Sequence, residues 1–396
     1  MDKILQGIRV IDLSQAYSGP FAAMQLADHG ADVIKIEPPG GEQTRKWGPL
    51  YNNYSAYNAY FNRNKRGMTL DLKTEEGKEV LARLVKDADV IVENFKAGTL
   101  AKLGFPYERL KELKPDIIYA QITGFGTNGP WSSRACYDIV AQAESGFMSL
   151  NGFPENDPVR VGTSVADSIS GLYLAIGIAM ALYKRAVTGE GSHIDVAMLD
   201  SLFAMTEQAS LAYTLNGKVM TRNGNRGRSN APWGQYKAKD GFYVIACGTN
   251  KLWQSFAEAL GLLDLKDDPD YDQPFKRVPK ADYLEERINA VTQQMTVAEV
   301  EEKMLAAGVP FGRVNDIDQV VELPQLKARN MFWTMYNEGF GRDFMTPGTP
   351  IKFEGGNDEQ RKSAPLIGED TDEILALAGY GPDEIAILKE KGIAGR

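Results

Sequence analysis

Short blocks of consecutive apolar residues alternate along the first third of the chain with longer stretches whose apolar positions recur every three or four residues. Ile8–Leu13, Ala31–Glu37, Asp89–Glu93 and Ile117–Thr123 are blocks of the first kind and predict buried strands. Phe21–His29, Glu75–Lys86 and Tyr107–Leu113 are of the second kind and predict helices; in Glu75–Lys86, Val80, Leu81, Leu84 and Val85 share one face. Gly30 closes the first helix as a C-cap. Strand, small-residue turn, helix, strand is a βαβ unit, and its repetition predicts a parallel sheet. The loops that leave the strands carry Ser14–Pro20, Asn94-Phe95 and the glycine-rich Gly124–Pro130. In a parallel sheet they converge on the carboxyl edge, where ligands of open α/β folds bind. The GxGxxG fingerprint is absent, so a dinucleotide is not supported.

The most apolar stretch is Val161–Lys184. One ionisable residue, Asp167, stands between the small residues Gly162, Thr163 and Ser164 and an apolar run from Leu172 to Tyr183. The run predicts a buried helix with no surface-facing side, and it is too short for a membrane span of about 20 apolar residues. Asp167 and Ser168 both qualify as N-caps of that helix. A lone carboxylate at the mouth of a buried helix also qualifies as a nucleophile, and local pattern leaves both roles open.

Tyr137–Phe147 predicts a helix, and His193–Met198 a strand that enters a helix from Leu199 to about Leu215. Thr221–Tyr236 has almost no aliphatic content and predicts a long irregular loop, a domain boundary or lid. Beyond it lie a strand at Phe242–Cys247, helices at Asn250–Leu260, Tyr283–Gln294 and Val297–Ala307, and a strand at Val309–Val314. A polar return starts at Gln325–Asn330, and the tail Glu369–Lys391 is helical. The expected domains are 1–220, 221–325 and a C-terminal return, 326–396.

With 396 residues, 43% hydrophobic and 24% charged, the chain has an ordinary globular composition. A net charge of −9 argues against nucleic acid or an anionic membrane as the main partner. Two cysteines, Cys136 and Cys247, and two histidines, His29 and His193, provide neither a disulfide framework nor a metal motif. No signal peptide is visible at the N-terminus, and a cytoplasmic location is the expectation.

Leu13-Ser14 with Ser18-Gly19-Pro20, Gly30–Glu37, Asn64-Lys65-Arg66, Leu70–Lys73, Glu93-Asn94-Phe95, Gly162–Asp167 and Ala364–Glu369 follow one another in this order. As a set they resemble the class III CoA-transferases, the group that contains formyl-CoA transferase and carnitine CoA-transferase. The resemblance implies an α/β fold: a Rossmann-like large domain with a smaller α+β domain, in a homodimer interlocked like two links. It implies transfer of CoA from an acyl-CoA to a free carboxylic acid, with the CoA thioester as substrate and no permanently bound cofactor or metal. Asp167 matches the family's nucleophile, whose attack on the thioester carbonyl produces an aspartyl-acyl anhydride and free CoA thiolate. An aspartate with the ordinary pKa of about 3.9 needs no base for that attack. Tyr17 and Ser18 match the first loop of the CoA groove, Leu72 and Lys73 its adenine end, and Asn94 and Phe95 its second loop. Lys102 stands for an arginine near the phosphates, and Tyr137 and Asp138 lie in the segment facing the nucleophile.

Three departures stand out. Pro38-Pro39 follow Ile36-Glu37 where formyl-CoA transferase has a basic residue, which makes Arg45 the candidate phosphate ligand. The family member's long glycine run is replaced by scattered Gly224, Gly227 and Gly234. Asp370 replaces a histidine in the tail motif. Cys136-Tyr137-Asp138 lacks the histidine of the related 2-methylacyl-CoA racemases, the alternative activity on this fold; a non-catalytic CoA-binding protein is the other. Arg222, Arg226 and Arg228 are candidates for a second carboxylate, against the plainer expectation of a solvated basic loop.

Overall fold

The computed structural model describes residues 3–354 and 361–395. The chain forms two compact units, one of Met1–Phe147, Arg160–Ser210 and Lys327–Arg396, the other of Met148–Val159 and Leu211–Leu326.

The large unit is built on six parallel strands: β1 (Arg9–Asp12), β2 (Asp32–Glu37), β3 (Arg66–Thr69), β4 (Val90–Glu93), β5 (Ile118–Thr123) and β6 (Ser192–Ala197). Their spatial order is β3-β2-β1-β4-β5-β6. The winding direction reverses between β1 and β4, where Val10 pairs with both Val33 and Val90. Side chains alternate across the sheet, so both faces need cover. On one face Ile11, Ile34, Met68 and Ile91 pack with Val80, Leu81, Leu84 and Val85 of helix α2 (Glu75–Lys86) and with Ile374, Leu375 and Leu388 of the C-terminal tail. On the other, Val10, Val33, Val90 and Ile118 pack with α1 (Ser18–Asp28) and the long α5 (Val165–Thr188). Three shorter helices complete the part used below: α3 (Tyr107–Leu113), α4 (Asp138–Glu144) and α6 (Met198–Ala204).

Several sequence expectations need correction. Strand β3 was not expected, because Arg-Gly-Met-Thr has a single aliphatic side chain; its pairing with β2 makes it a strand. The helix expected from Leu199 to Leu215 is two, Met198–Ala204 and Gln208–Asn216, with Glu207 at φ 40° between them. The tail helix breaks likewise into Thr371–Leu377 and Pro382–Glu390. After the polar return, Phe332–Asn337 and Arg342–Pro347 form an antiparallel hairpin that the sequence reading lacked.

α5 is the largest correction. It is 24 residues long, enough to exceed the expected run and to reach the length of a membrane span. Ala166, Ser170, Gly171, Leu174, Ile178 and Ala181 form its buried stripe. Leu172, Tyr173, Ile176, Met180, Tyr183 and Val187 form a second stripe that is exposed in the single chain. An apolar run has no polar side to announce which face a fold will cover, so periodicity was silent here.

In the small unit, Trp233–Lys237, Phe242–Ala246 and Phe311–Arg313 form an antiparallel sheet. It packs on Asn250–Ala259, Ala281–Thr292 and Val297–Ala306 around Tyr243, Trp253, Phe256, Ile288 and Val300. The expected irregular loop 221–236 therefore ends in a strand, with Gly234 and Tyr236 turned inward.

The crossing of α1 and α5 is close because Gly171 sits in it. A Cβ there would come within 2.7 Å of the Ser18 carbonyl oxygen and 3.0 Å of the Phe21 ring. Gly171→Ala is expected to destabilise by about 1–3 kcal/mol through overpacking, exceeding the gain of about 1 kcal/mol in helix propensity. An unchanged or raised denaturant midpoint would contradict this close packing.

Candidate active site

Buried ion pairs set the carboxyl edge of β1 and β2. Asp12 ends β1 with no exposure; it accepts from the Lys65 ammonium at 2.8 Å, from the Ser14 backbone N–H at 3.0 Å and from the Ser14 hydroxyl. Lys35 of β2 donates to the Ser14 carbonyl and lies 3.4 Å from Glu42. Burial alone would raise the Asp12 carboxyl, but Lys35 and Lys65 outweigh it and hold the group below the usual carboxylate range. Glu42 in turn accepts from the Ala16 N–H at 2.9 Å. Ala16 has φ 65°, a left-handed conformation that costs a non-glycine residue about 1–2 kcal/mol. The ionic floor thus holds the β1–α1 loop in a shape its own residues disfavour.

Asn94, just past β4, joins that loop to its neighbour. Its amide accepts from Gln15 N–H and donates to Gln15 O, both at 2.7 Å, and reaches the Ser18 hydroxyl at 3.3 Å. Gly19 permits this, since a Cβ there would lie 3.3 Å from the Asn94 side chain and far closer to Ser14. The two loops leave the sheet at the point where its winding reverses, the usual ligand crevice of doubly wound sheets. A crevice of about 360 Å³ opens there, with Ser18, Phe95, Lys96, Arg134, Tyr137 and Asp167 among its lining residues.

Asp167 reaches this crevice from the first turn of α5, but not as its cap. The helix starts at Val165 with Ser164 at the N-cap position, making Asp167 its third residue. Ser168, the other expected cap, accepts or donates in a 2.7 Å bond with the Tyr17 hydroxyl and donates to Ser164 O at 3.0 Å. The capping bond comes instead from Asp138 on α4, whose carboxylate accepts from Ala166 N–H at 2.8 Å and from the Gln142 amide at 2.7 Å. This leaves the Asp167 carboxyl free to face the crevice, hydrogen-bonded to the Ser18 hydroxyl.

The electrostatics differ from the sequence expectation. Burial raises the Asp167 carboxyl to about 7; the Asp138 charge adds to the shift and the Ser18 bond opposes it. The carboxyl group therefore holds its proton well above the ordinary aspartate range. Burial likewise pushes the Cys136 thiol up to about 11, with Asp167 contributing. Gly124 is required beneath it, because a Cβ there would collide with the Cys136 side chain at 2.1 Å.

Of the residues singled out by sequence, Ser18, Asn94, Phe95, Tyr137 and Asp167 line the crevice together. Tyr17 and Asp138 stand behind it, bonded to α5. Leu72, Lys73 and Lys102 are not among its lining residues; Leu72 packs against the core while Lys73 and Lys102 are exposed. Arg45 is occupied by Glu37, at 2.8 and 2.5 Å, and by the Pro365 carbonyl. Arg226 is paired with Asp282 at 2.5 Å and Glu285 at 2.6 Å, while Arg222 and Arg228 bond to backbone carbonyls. Glu42 and Lys96 were missed. Lys96 merely continues the Glu-Asn-Phe motif by one residue, whereas nothing local marks Glu42, whose partners are remote.

A family model described as CoA-transferase family III matches residues 5–371. The chain belongs to CoA-transferase family III. It is 38% identical over 366 residues to the acetyl-CoA:oxalate CoA-transferase of Acetobacter aceti, covering 92% of each chain. It is 36% identical over 386 residues to the succinate–glutarate CoA-transferase of Agrobacterium fabrum, covering 94% of this chain and 95% of that one. A crystal structure of a CaiB/BaiF family protein from Brucella suis superimposes with a TM-score of 0.86 at 36% identity, over 96% of this chain and all (100%) of that one.

In this family III enzyme, removing the Asp138 charge is expected to lower the Asp167 midpoint from about 7 toward the ordinary aspartate range. Carbon-13 NMR of the carboxyl groups in Asp138→Asn checks it. A midpoint that stays put would leave burial as the sole cause.

Proposed function

We propose that this enzyme transfers CoA from an acyl-CoA to a free carboxylic acid through a covalent anhydride on Asp167. The observation that carries the reading is Asp167 itself: a carboxyl group relieved of helix capping and presented to the switch-point crevice. In the first step the Asp167 carboxylate attacks the thioester carbonyl, the C–S bond breaks, and CoA leaves as its thiolate, a good leaving group since thiols ionise near about 8.5. The acceptor carboxylate then takes the acyl group from Asp167, forming a second anhydride and freeing the aspartate. Asp167 next attacks the acceptor's carbonyl in that mixed anhydride, releasing the donor acid, and thiolate attack on the new aspartyl anhydride yields the product thioester. One thioester is exchanged for another, so no ATP is consumed. The raised Asp167 carboxyl means that only its ionised fraction attacks, so kcat/KM should rise as pH increases through about 7.

In this reading CoA lies along the crevice past Ser18, Asn94 and Phe95, with Tyr17, Tyr137 and Asp138 supporting the nucleophile's end. Leu72, Lys73 and Lys102 serve the far adenine-phosphate end, outside the crevice. The relatives named above include oxalate, succinate or glutarate among their acids, which favours a short dicarboxylic acid here too. Lys96, which lines the crevice, is the cation proposed to receive its second carboxylate; Arg134 also lines it but is paired with Glu144 at 2.8 Å. The bare apolar stripe of α5, Leu172 to Val187, supports an interlocked homodimer that covers it. Two free cysteines and the acidic composition fit the cytoplasm.

Asp167→Ala is expected to reduce turnover by roughly three or more orders of magnitude, because no other group replaces the covalent step. Hydroxylamine added with an acyl-CoA should label the peptide carrying Asp167. Activity that survives Asp167→Ala would sink the mechanism, and α-proton exchange in deuterated water would point to the racemase chemistry instead.

A further inference from the structure

Among the described residues four acids are buried: Asp12, Glu37, Glu42 and Glu93. Three have a basic partner, Lys65 at 2.8 Å, Arg45 at 2.5 Å and Lys35 at 3.4 Å respectively. Glu93, at the end of β4 with 2% exposure, has none among the described residues. The one charge acting on it is Asp195 of β6, of like sign.

Its neighbours are uncharged hydrogen-bonding groups. Glu93 Oε2 accepts from Phe95 N–H at 2.6 Å. Glu93 Oε1 lies 2.7 Å from the hydroxyl oxygen of Tyr119 on β5, and that oxygen is 3.2 Å from Gln121 Oε1. Gln121 Nε2 continues the chain to His193 Nε2 at 2.6 Å. The Tyr119 and His193 rings stack at 4.8 Å, with the Tyr107 ring of α3 5.1 Å from His193.

With Gln121 Oε1 toward Tyr119 and Nε2 toward His193, the protons along this chain fit one state of Glu93. Tyr119 has one hydroxyl proton. If Glu93 is ionised, that proton faces two acceptors, Glu93 Oε1 and Gln121 Oε1, and one contact is left without hydrogen. If Glu93 carries a proton on Oε1, every donor meets one acceptor: Glu93 to Tyr119, Tyr119 to Gln121, Gln121 to the bare Nε2 of a neutral His193. An uncharged acid also avoids burying an unpaired carboxylate.

We propose that Glu93 works as a neutral carboxylic acid that positions the Asn94–Ala97 wall of the crevice. It is a positioning residue: it holds Phe95 N–H, and the adjoining Asn94 holds Gln15 and Ser18, the partner of Asp167. Burial raises Glu93 to about 7, with the Tyr119 and Phe95 bonds opposing, and burial lowers His193, as an acceptor Nε2 requires. The inference rests on the crevice being the CoA site.

Glu93→Gln separates the two protonation states, because its carbonyl can accept from Phe95 N–H while its amide donates to Tyr119. Calorimetric titration with CoA should give that variant wild-type affinity. Glu93→Leu, lacking both bonds, should bind about tenfold more weakly throughout. Glu93→Gln binding as poorly as Glu93→Leu would overturn the proposal. Infrared difference spectra of wild type against Glu93→Gln supply a readout that needs no ligand. The carbonyl stretch of a protonated carboxyl group should be lost in the variant, and its absence from the wild type would equally overturn the assignment. Neither measurement uses turnover, so failure of the anhydride mechanism at Asp167 leaves both standing.

Discussion

The site depends on the buried ion pairs beneath it. Asp12, Lys35, Lys65 and Glu42 are nearly or wholly removed from solvent, and each meets an opposite charge or a backbone carbonyl. Losing one member would leave an uncompensated buried charge, at a cost of about 3–5 kcal/mol. That magnitude exceeds the strain of about 1–2 kcal/mol at Ala16, so the loop keeps its left-handed turn. Ser14 and Ala16 are held in place from below, Ser18 follows as the first residue of α1, and the donor that meets Asp167 is fixed before any ligand arrives.

Division of labour between two aspartates then leaves one carboxyl group facing the crevice. Asp138 takes the free N–H at the start of α5, a task that local pattern assigned to Asp167 or Ser168. Asp167 keeps its oxygens for the crevice, and its position beside Asp138 and inside the fold raises its pKa. A helix N-terminus favours a carboxylate by about 0.3–1 kcal/mol, which is too little to offset burial together with a like charge.

α5 serves two surfaces at once. Gly171 lets it approach α1 closely enough for Asp167 to meet Ser18, while its opposite stripe stays bare in the single chain. The same helix thus carries Asp167 at one end and an apolar stripe that is uncovered in the single chain.

The sequence by itself determined the local elements and their order. Blocks such as Val90–Glu93 and the amphipathic Glu75–Lys86 form what their periods predict, because strand and helix register are set by neighbours in the chain. Ser18, Asn94 and Phe95 lie on loops at strand ends that the sequence pattern brings to one edge, whereas Asp167 was singled out by the resemblance of the Gly162–Asp167 motif; all four line one crevice. Tertiary structure decided what depends on distant partners. It gave the cap of α5 to a residue 28 positions away, engaged Arg45 and Arg226 with acids, and made Arg66–Thr69 a strand by pairing. It also set the charge state of Asp167, since burial and a neighbouring carboxylate act through space and leave no mark on the residues beside it. The stretch Val161–Lys184 shows the division: its composition announced a helix and a lone carboxylate, and only packing showed which face is covered and which aspartate is left free.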